Sequence, residues 1–154
     1  MRMLMEAHDV ALEVRSSVTV KLPRDEAFRL FTERIGAWWP LSTHSVYEKE
    51  ASGVTLEPRV GGRMYESASD GRISDWGTVT AWDPFDRVSV TWHPGDDEAR
   101  ATLVDVSFSD APDGGTLVDL LHTGWEVHGE TAREAADAYR SGWPRVLGQF
   151  AAAA

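Results

Sequence analysis

The sequence contains no cysteine, which excludes disulfide bonds, thiolate nucleophiles and metal sites built on cysteine. No apolar run approaches the roughly 18 residues that a membrane-spanning helix needs, so we expect no membrane insertion. The first ten residues contain an arginine but lack the apolar segment of a secretory signal. We therefore expect a cytoplasmic protein.

Basic residues are scarce. The chain has 15 Lys and Arg against 25 Asp and Glu, and its formal net charge is -10. Nucleic-acid backbones and anionic membrane surfaces attract clusters of positive charge. We therefore predict no nucleic-acid partner, and we expect the acidity mainly to favour solubility.

Catalytic and metal-binding motifs are also missing. The histidines show no HExxH or other paired metal spacing, and no G-x-S-x-G nucleophile elbow occurs. The Gly61-Gly62 pair lacks the Lys-Ser/Thr and the following helix of a phosphate-binding loop, so it indicates a hairpin turn. We predict no metal, no cofactor and no catalytic residue.

Tryptophan, in contrast, is abundant. The chain has seven, six of them between Trp38 and Trp125 and the seventh at Trp143. Large rigid aromatic side chains can fill a core or line a cavity for an apolar ligand. A length of 154 residues suits one domain. We place it at 11–150, after a flexible N-terminus at 1–10.

The C-terminal stretch 129–150 has the pattern of an amphipathic helix. Its apolar residues recur at helical spacing on one side, namely Tyr139, Trp143, Val146, Leu147 and Phe150. Pro144 lies inside this stretch and lacks the N–H of an ordinary helical residue, which predicts a bend near Arg140 to Gly142.

The preceding chain reads mostly as strands. Residues 12–22 alternate between apolar and polar, and Pro23 then opens a short helix over 24–32, with a second around 33–38. We expect an exposed loop at 40–51 and an edge strand at 54–59 that contains Pro58. The strands that follow are joined by short Gly, Pro and Asp turns, as in an antiparallel meander.

These elements predict an α+β fold. A curved antiparallel sheet of about seven strands would wrap around the long C-terminal helix, which needs an apolar surface for its aromatic side. The two short helices after the first strand would close one end of the sheet.

Several short motifs occur in the order found in one known superfamily. The motifs are Pro23-x-x-x-Ala27-Phe28, Trp38-Trp39, Pro58 to Arg63, Gly77-Thr78-Val79 with Asp83-Pro84, Arg87 to Trp92, Gly115-Thr116 to Gly124, and Ser141-Gly142-Trp143. In them the chain resembles the START-like helix-grip (SRPBCC) superfamily. Within it, the chain resembles the branch named for the activator of heat-shock-protein ATPase homologue.

The resemblance implies a helix-grip fold with one cavity between sheet and C-terminal helix. It does not identify an activity, because the superfamily includes lipid carriers, hormone binders, aromatase/cyclases and cochaperones. The cavity-lining candidates come from the short helices, the loop, the sheet and the long helix. They are Trp39, His44, Tyr65, Trp76, Trp92, Val106, His122, Trp125, Tyr139 and Trp143.

Three alternatives stay open at this point. The aromatic residues either line an open cavity or fill the core. His122 shares the inward parity of Val118 and Leu120, so it is either a hydrogen-bonded core residue or a ligand anchor and acid/base candidate. On the strand at 63–67, either Met64 and Glu66 or Arg63 and Tyr65 point inward.

The pattern favours a non-catalytic domain that binds a hydrophobic or aromatic small molecule between sheet and helix. An alternative is an aromatase/cyclase-like enzyme acting on a polyketide-type substrate, in which His122, Tyr65 or Glu66 polarise carbonyl groups. The resemblance adds a third hypothesis, a cochaperone-like interaction domain with a chaperone partner. The edge strand or the outer sheet face could also support a homodimer.

Overall fold

The computed structural model describes residues 12–154, so the expected flexible N-terminus lies outside the described residues. Two α-helices accompany one sheet: α1 (Arg24–Phe31) and α2 (Ala132–Ala153). The strands are β1 (Val14–Val20), β2 (Ala51–Leu56), β3 (Arg63–Ala68), β4 (Ile73–Asp83), β5 (Arg87–Trp92), β6 (Thr102–Asp110) and β7 (Thr116–Thr123). The predicted α+β architecture is confirmed.

The sheet follows the order β1-β7-β6-β5-β4-β3-β2, and every neighbouring pair is antiparallel. Strands β2 to β7 therefore form the predicted meander, and β1 pairs with β7. Strand β2 lies at the far edge, as predicted, but its bounds differ from 54–59. It begins at Ala51, which pairs with Ala68, and it ends at Leu56, two residues before Pro58.

The inner face of the sheet carries the core. Alternation along β5, β6 and β7 turns Val90, Val106 and Leu120 inward, and all three are buried. Helix α2 covers this face with Trp143 and Phe150, which are 3% and 0% exposed. The sheet thus curls around α2, as the helical pattern predicted.

Helix α2 differs from the predicted 129–150 at both ends. It begins at Ala132, after a 3₁₀ segment (Trp125–Thr131), and it continues to Ala153. Its backbone stays helical through Pro144, and the predicted bend before Pro144 stays a prediction. None of the helices within residues 12–154 combines the length and hydropathy of a transmembrane segment.

The two short helices close one end of the sheet. The second is only a 3₁₀ turn, Ile35–Ala37, instead of the predicted helix over 33–38. Here Phe28 packs at 5.1 Å from Phe108, and Phe31 packs at 5.2 Å from Phe150, measured between ring centroids. We call this aromatic cluster the closed end; it comprises Phe28, Phe31, Trp38, Phe108 and Phe150.

Candidate functional site

At the opposite end, a cavity of about 300 Å³ lies between α2, the sheet and the segment 43–46. We call this region the cavity end. Its walls contain four tryptophans and one tyrosine, and no Asp, Glu, Lys or Arg from residues 12–154 lines it. The aromatic residues are Trp39, Trp76, Trp92, Tyr139 and Trp143. The cavity is thus apolar, with a few neutral polar groups.

Exposure changes from the floor of the cavity to its mouth. Trp76 and Trp143 are 1% and 3% exposed, whereas Val46 at the rim is 37% exposed. Thr43 is also exposed, and His44 is half-buried. The cavity therefore opens to solvent along the segment 43–46.

The indole rings stand at steep angles to one another. The ring centroid of Trp76 lies 5.1 Å from that of Trp39 and 5.7 Å from that of Trp92, with interplanar angles of 60° and 65°. Trp143 packs at 5.2 Å from Trp92. Edge-to-face contacts of this kind are favourable between aromatic rings, so the walls hold their shape and present ring faces and edges to a ligand.

Small residues on α2 leave the space open. Ala138 and Gly142, one helical turn apart, line the cavity between the larger side chains of α2. A Cβ atom added at Gly142 would lie 3.6 Å from Nε2 of His44, which is ordinary van der Waals contact. A larger side chain at either position would occupy the cavity.

Partly buried hydrogen bonds hold the rim of the cavity, which is formed by the segment 43–46. Both carboxylate oxygens of Glu66 accept backbone N–H groups, from Val46 at 2.7 Å and from Tyr47 at 2.9 Å. The indole N–H of Trp39 donates to the carbonyl oxygen of His44 at 2.7 Å. Glu66 is fully buried, so the stretch 40–51 is not simply an exposed loop. It also contains a 3₁₀ turn at Glu48–Glu50.

The same contacts decide which face of β3 points inward. Met64 and Glu66 are buried, at 2% and 0% exposure, while Tyr65 is half-buried on the other face. Tyr65 does not line the cavity, because neighbouring residues on a strand point to opposite faces. The position of Tyr65 corrects the alternative in which it pointed inward.

His44 and Tyr139 are the titratable side chains that line the cavity. Burial, together with the positive charge of Arg145, lowers the pKa of His44 from its usual value. Burial also raises the pKa of Tyr139, whose hydroxyl oxygen accepts the indole N–H of Trp92 at 3.2 Å. At neutral pH the imidazole is therefore unprotonated and the phenol keeps its proton.

His122 is buried behind Trp143, which separates it from the cavity. The indole N–H of Trp143 donates to Nδ1 of His122 at 3.0 Å, and Nε2 lies 2.6 Å from the hydroxyl oxygen of Thr102. Because an indole nitrogen can only donate, Nδ1 must accept, and Nε2 must carry the proton of the neutral ring. The Thr102 hydroxyl in turn donates to the carbonyl oxygen of Trp92 at 3.3 Å.

This network decides the role of His122. The side chain is 0% exposed, and both ring nitrogens have protein partners. Burial, with a smaller effect of His128, lowers the pKa of His122 to about 3. His122 is thus a neutral core residue that supports Trp143, and it is not a wall of the main cavity.

The structure brings six of the ten candidates to the cavity: Trp39, His44, Trp76, Trp92, Tyr139 and Trp143. Val106 lies deeper, beside a void of about 20 Å³ in the core. Trp125 borders a separate cavity of about 160 Å³ on the other side of Tyr139. Sequence reasoning missed Ala138 and Gly142, although their spacing on the helix was a usable signal.

The chain matches the family described as Activator of Hsp90 ATPase homolog 1-like protein over residues 21–154. It belongs to this family. The superfamily and branch suggested by the sequence motifs are thereby confirmed. No curated protein matches the chain.

Solved structures show the same fold. The anthrahydroquino-gama-pyrone synthase Txn09, solved in complex with SUM, is 37% identical, with 90% of this chain and 94% of that chain covered and a TM-score of 0.61. Protein MLL2253 from Mesorhizobium loti is 20% identical, with 90% and 93% covered and a TM-score of 0.66. The Aha1 dimer from Colwellia psychrerythraea is 18% identical, with 90% and 92% covered and a TM-score of 0.62.

Proposed function

We propose that this protein binds a planar, largely apolar aromatic molecule in the cavity between α2 and the sheet. The observation that carries the proposal is the lining itself: four tryptophans and a tyrosine surround about 300 Å³, and no charged side chain in the described part of the chain lines this space. Apolar walls with a few placed polar groups are the usual composition of small-molecule sites. A cavity of this size suits a ligand of two or three fused rings.

The test uses two glycines on α2. Gly142 lines the cavity, whereas a Cβ atom at Gly148 would meet nothing within 4 Å. Gly142→Leu should fill the cavity mouth and weaken the binding of fluorene, a rigid tricyclic probe, at least about ten-fold, the equivalent of ~1.4 kcal/mol. Gly148→Leu is the matched control and should bind as the unchanged protein does.

Quenching of tryptophan fluorescence measures the affinity, and circular dichroism checks that both variants fold. Equal affinities in the two leucine variants would place the probe elsewhere on the protein. Absence of binding by the unchanged protein, with fluorene and with a panel of other tricyclic compounds, would refute the proposal.

A second candidate function is enzymatic ring closure on a polyketide-type aromatic substrate. Two observations favour it. Txn09, which is 37% identical over most of both chains, is described as a synthase of an anthrahydroquinone-pyrone compound. The cavity of this chain also contains His44 and Tyr139, whose pKa values are shifted in opposite directions.

The lowered pKa keeps His44 unprotonated, so it can act as a base, and the raised pKa keeps Tyr139 protonated, so it can act as an acid. His44 is neutral at neutral pH, and its Nδ1 lies 2.8 Å from the Thr43 hydroxyl, which donates to the carbonyl oxygen of Pro40 at 3.4 Å. In the tautomer in which Nδ1 donates to this hydroxyl, Nε2 is unprotonated and can accept a proton. Tyr139 keeps its phenolic proton and can donate it to a developing negative charge on a carbonyl oxygen. A ring closure in which a hydroxyl oxygen adds to an unsaturated ketone needs both steps.

The assay for this candidate uses a hydroxyanthraquinone that carries an ynone side chain, and chromatography follows its isomerisation to a pyrone of equal mass. His44→Gln should lower kcat at least about 100-fold, the range expected on loss of a general base. His93→Gln is the control, because His93 does not line the cavity. If the unchanged protein forms no pyrone, or if His44→Gln is as active, the enzymatic candidate fails and ligand binding alone remains.

A further inference from the structure

The tryptophans differ in how their indole N–H groups are satisfied. Six tryptophan side chains are buried, and five of them donate to a protein acceptor. These five are Trp38, Trp39, Trp92, Trp125 and Trp143. Trp76 is the exception: its Nε1 is the single buried side-chain nitrogen or oxygen in residues 12–154 without a partner.

The exception is a side chain of the cavity wall whose indole nitrogen is itself buried. Trp76 is 1% exposed and lines the cavity between Trp39 and Trp92. Its neighbours restrict the ring, so the indole cannot turn freely toward another acceptor. A buried donor without an acceptor destabilises the state that contains it, and a partner supplied from outside relieves that cost.

We infer that the indole N–H of Trp76 is the anchor for an oxygen acceptor on the bound molecule. The ligand class is therefore a planar aromatic compound that bears a carbonyl oxygen, such as a ring ketone or quinone. This inference rests on the proposed binding function and adds the group by which the site distinguishes one aromatic molecule from another.

The surrounding chemistry agrees with a neutral acceptor. No carboxylate of residues 12–154 lines the cavity, so none of the described acidic side chains competes with a carbonyl for the Trp76 N–H. The Tyr139 phenol keeps its proton because burial raises its pKa, and it offers a second donor. Two donors at the cavity favour a ligand that carries a carbonyl oxygen over one of the same shape without an acceptor.

Fluorene and 9-fluorenone test the inference, since the two molecules have nearly the same shape and differ by one carbonyl group. The unchanged protein should bind fluorenone about ten-fold more tightly than fluorene, because a site built to donate a hydrogen bond rejects a ligand without an acceptor. Trp76→Phe should remove that preference while it keeps the affinity for fluorene within about three-fold.

Trp38→Phe is the matched control, since it also truncates a buried tryptophan, but one that does not line the cavity and whose N–H already donates to the carbonyl oxygen of Leu30 at 2.8 Å. It should retain the preference for fluorenone. Equal affinity of the unchanged protein for the two probes would overturn the anchor role of Trp76 and leave the cavity-binding proposal intact. Failure of both probes to bind would refute the binding proposal and this inference with it.

A measurement on the unchanged protein covers the case in which Trp76→Phe does not fold. In a ¹⁵N-labelled sample, the indole N–H resonance of Trp76, assigned through its contacts with Trp39 and Trp92, should move downfield with fluorenone and not with fluorene. The absence of a difference between the two probes at that resonance would contradict the inference.

Discussion

The two ends of the space between α2 and the sheet contain similar aromatic side chains, but one end is packed and the other encloses a cavity. At the closed end, Phe108 packs edge-to-face against Phe28 and Phe31, and Phe31 packs in the same way against Phe150. At the cavity end, aromatic residues of equal or larger size leave about 300 Å³ between them. Aromatic content alone therefore does not decide whether a region is packed or hollow.

The difference comes from what α2 contributes at each end. Toward the closed end the helix contributes Leu147 and Phe150, which are 2% and 0% exposed, and Phe150 packs against Phe31 of α1. Toward the cavity it presents Ala138 and Gly142, which are too small to reach the opposite wall. Packed interiors tolerate few voids, and this gap between tryptophans is the space in which we propose that the ligand binds.

The largest expected effect concerns the closed end. Phe150→Ala should lower the free energy of unfolding by about 4 kcal/mol, because a fully buried ring is replaced by a cavity that its neighbours cannot fill. Gln149→Ala, at an exposed neighbouring position, should change it by less than about 0.5 kcal/mol. Urea denaturation measures both, and a loss below about 2 kcal/mol for Phe150→Ala would contradict the packed closed end.

Two substitutions of alanine by leucine compare a packed position with a position at the cavity. Ala136 is 0% exposed and packed in the core, so Ala136→Leu should destabilise the protein by about 1 to 3 kcal/mol through overpacking. Ala138→Leu places the same side chain at the cavity and should change stability by less than about 0.5 kcal/mol. Equal losses in the two variants would mean that the cavity does not accommodate added volume.

The pH dependence of stability tests the floor of the cavity. His122 has a pKa of about 3 in the folded protein, against 6.5 for an unperturbed histidine. Between these values the unfolded chain binds a proton that the folded protein does not, so stability falls as the pH drops below 6.5. The contribution of His122 should decrease by about 2 kcal/mol between pH 8 and pH 5.

Denaturant unfolding across this range, in the unchanged protein and in His122→Gln, isolates that contribution. The variant should be less stable at pH 8, and its pH dependence should be flatter by about 2 kcal/mol. An unaltered pH dependence in His122→Gln would show that His122 does not titrate as a buried neutral residue.

The smallest expected effect concerns the rim. Glu66→Gln keeps the shape of the side chain but replaces one carboxylate oxygen with an amide donor, so Val46 or Tyr47 loses its acceptor. We expect a loss of about 1.5 kcal/mol in stability and faster hydrogen exchange at these two amides. Glu57→Gln is a control outside the rim. Unchanged protection at Val46 and Tyr47 would show that Glu66 does not hold the rim.

Much of the fold was predictable because it follows from local periodicity. The alternating residues of β5 to β7 and the helical stripe of α2 defined which faces are buried. Turn residues defined the meander. The boundaries of β2 were wrong, since a strand at an edge depends on its pairing with β3, and that pairing is a long-range contact.

The candidate site was predictable in part. Parity placed Trp92 and His122 on the inner face, and the structure agrees. It did not show that both nitrogens of His122 would be bonded, nor which face of β3 pointed inward. Those outcomes depend on Trp143 and on the segment 43–47, which lie far away along the chain.

The sequence by itself determined the order of elements, the inward faces and the resemblance to the family, because periodicity, turn residues and short motifs are local properties. Only the tertiary structure decided where the aromatic side chains pack into a filled core and where they leave a cavity. That outcome depends on which small residues of α2 meet which tryptophans of the sheet. The same assembly leaves the Trp76 N–H without an acceptor among residues 12–154, while it pairs the five other buried indoles.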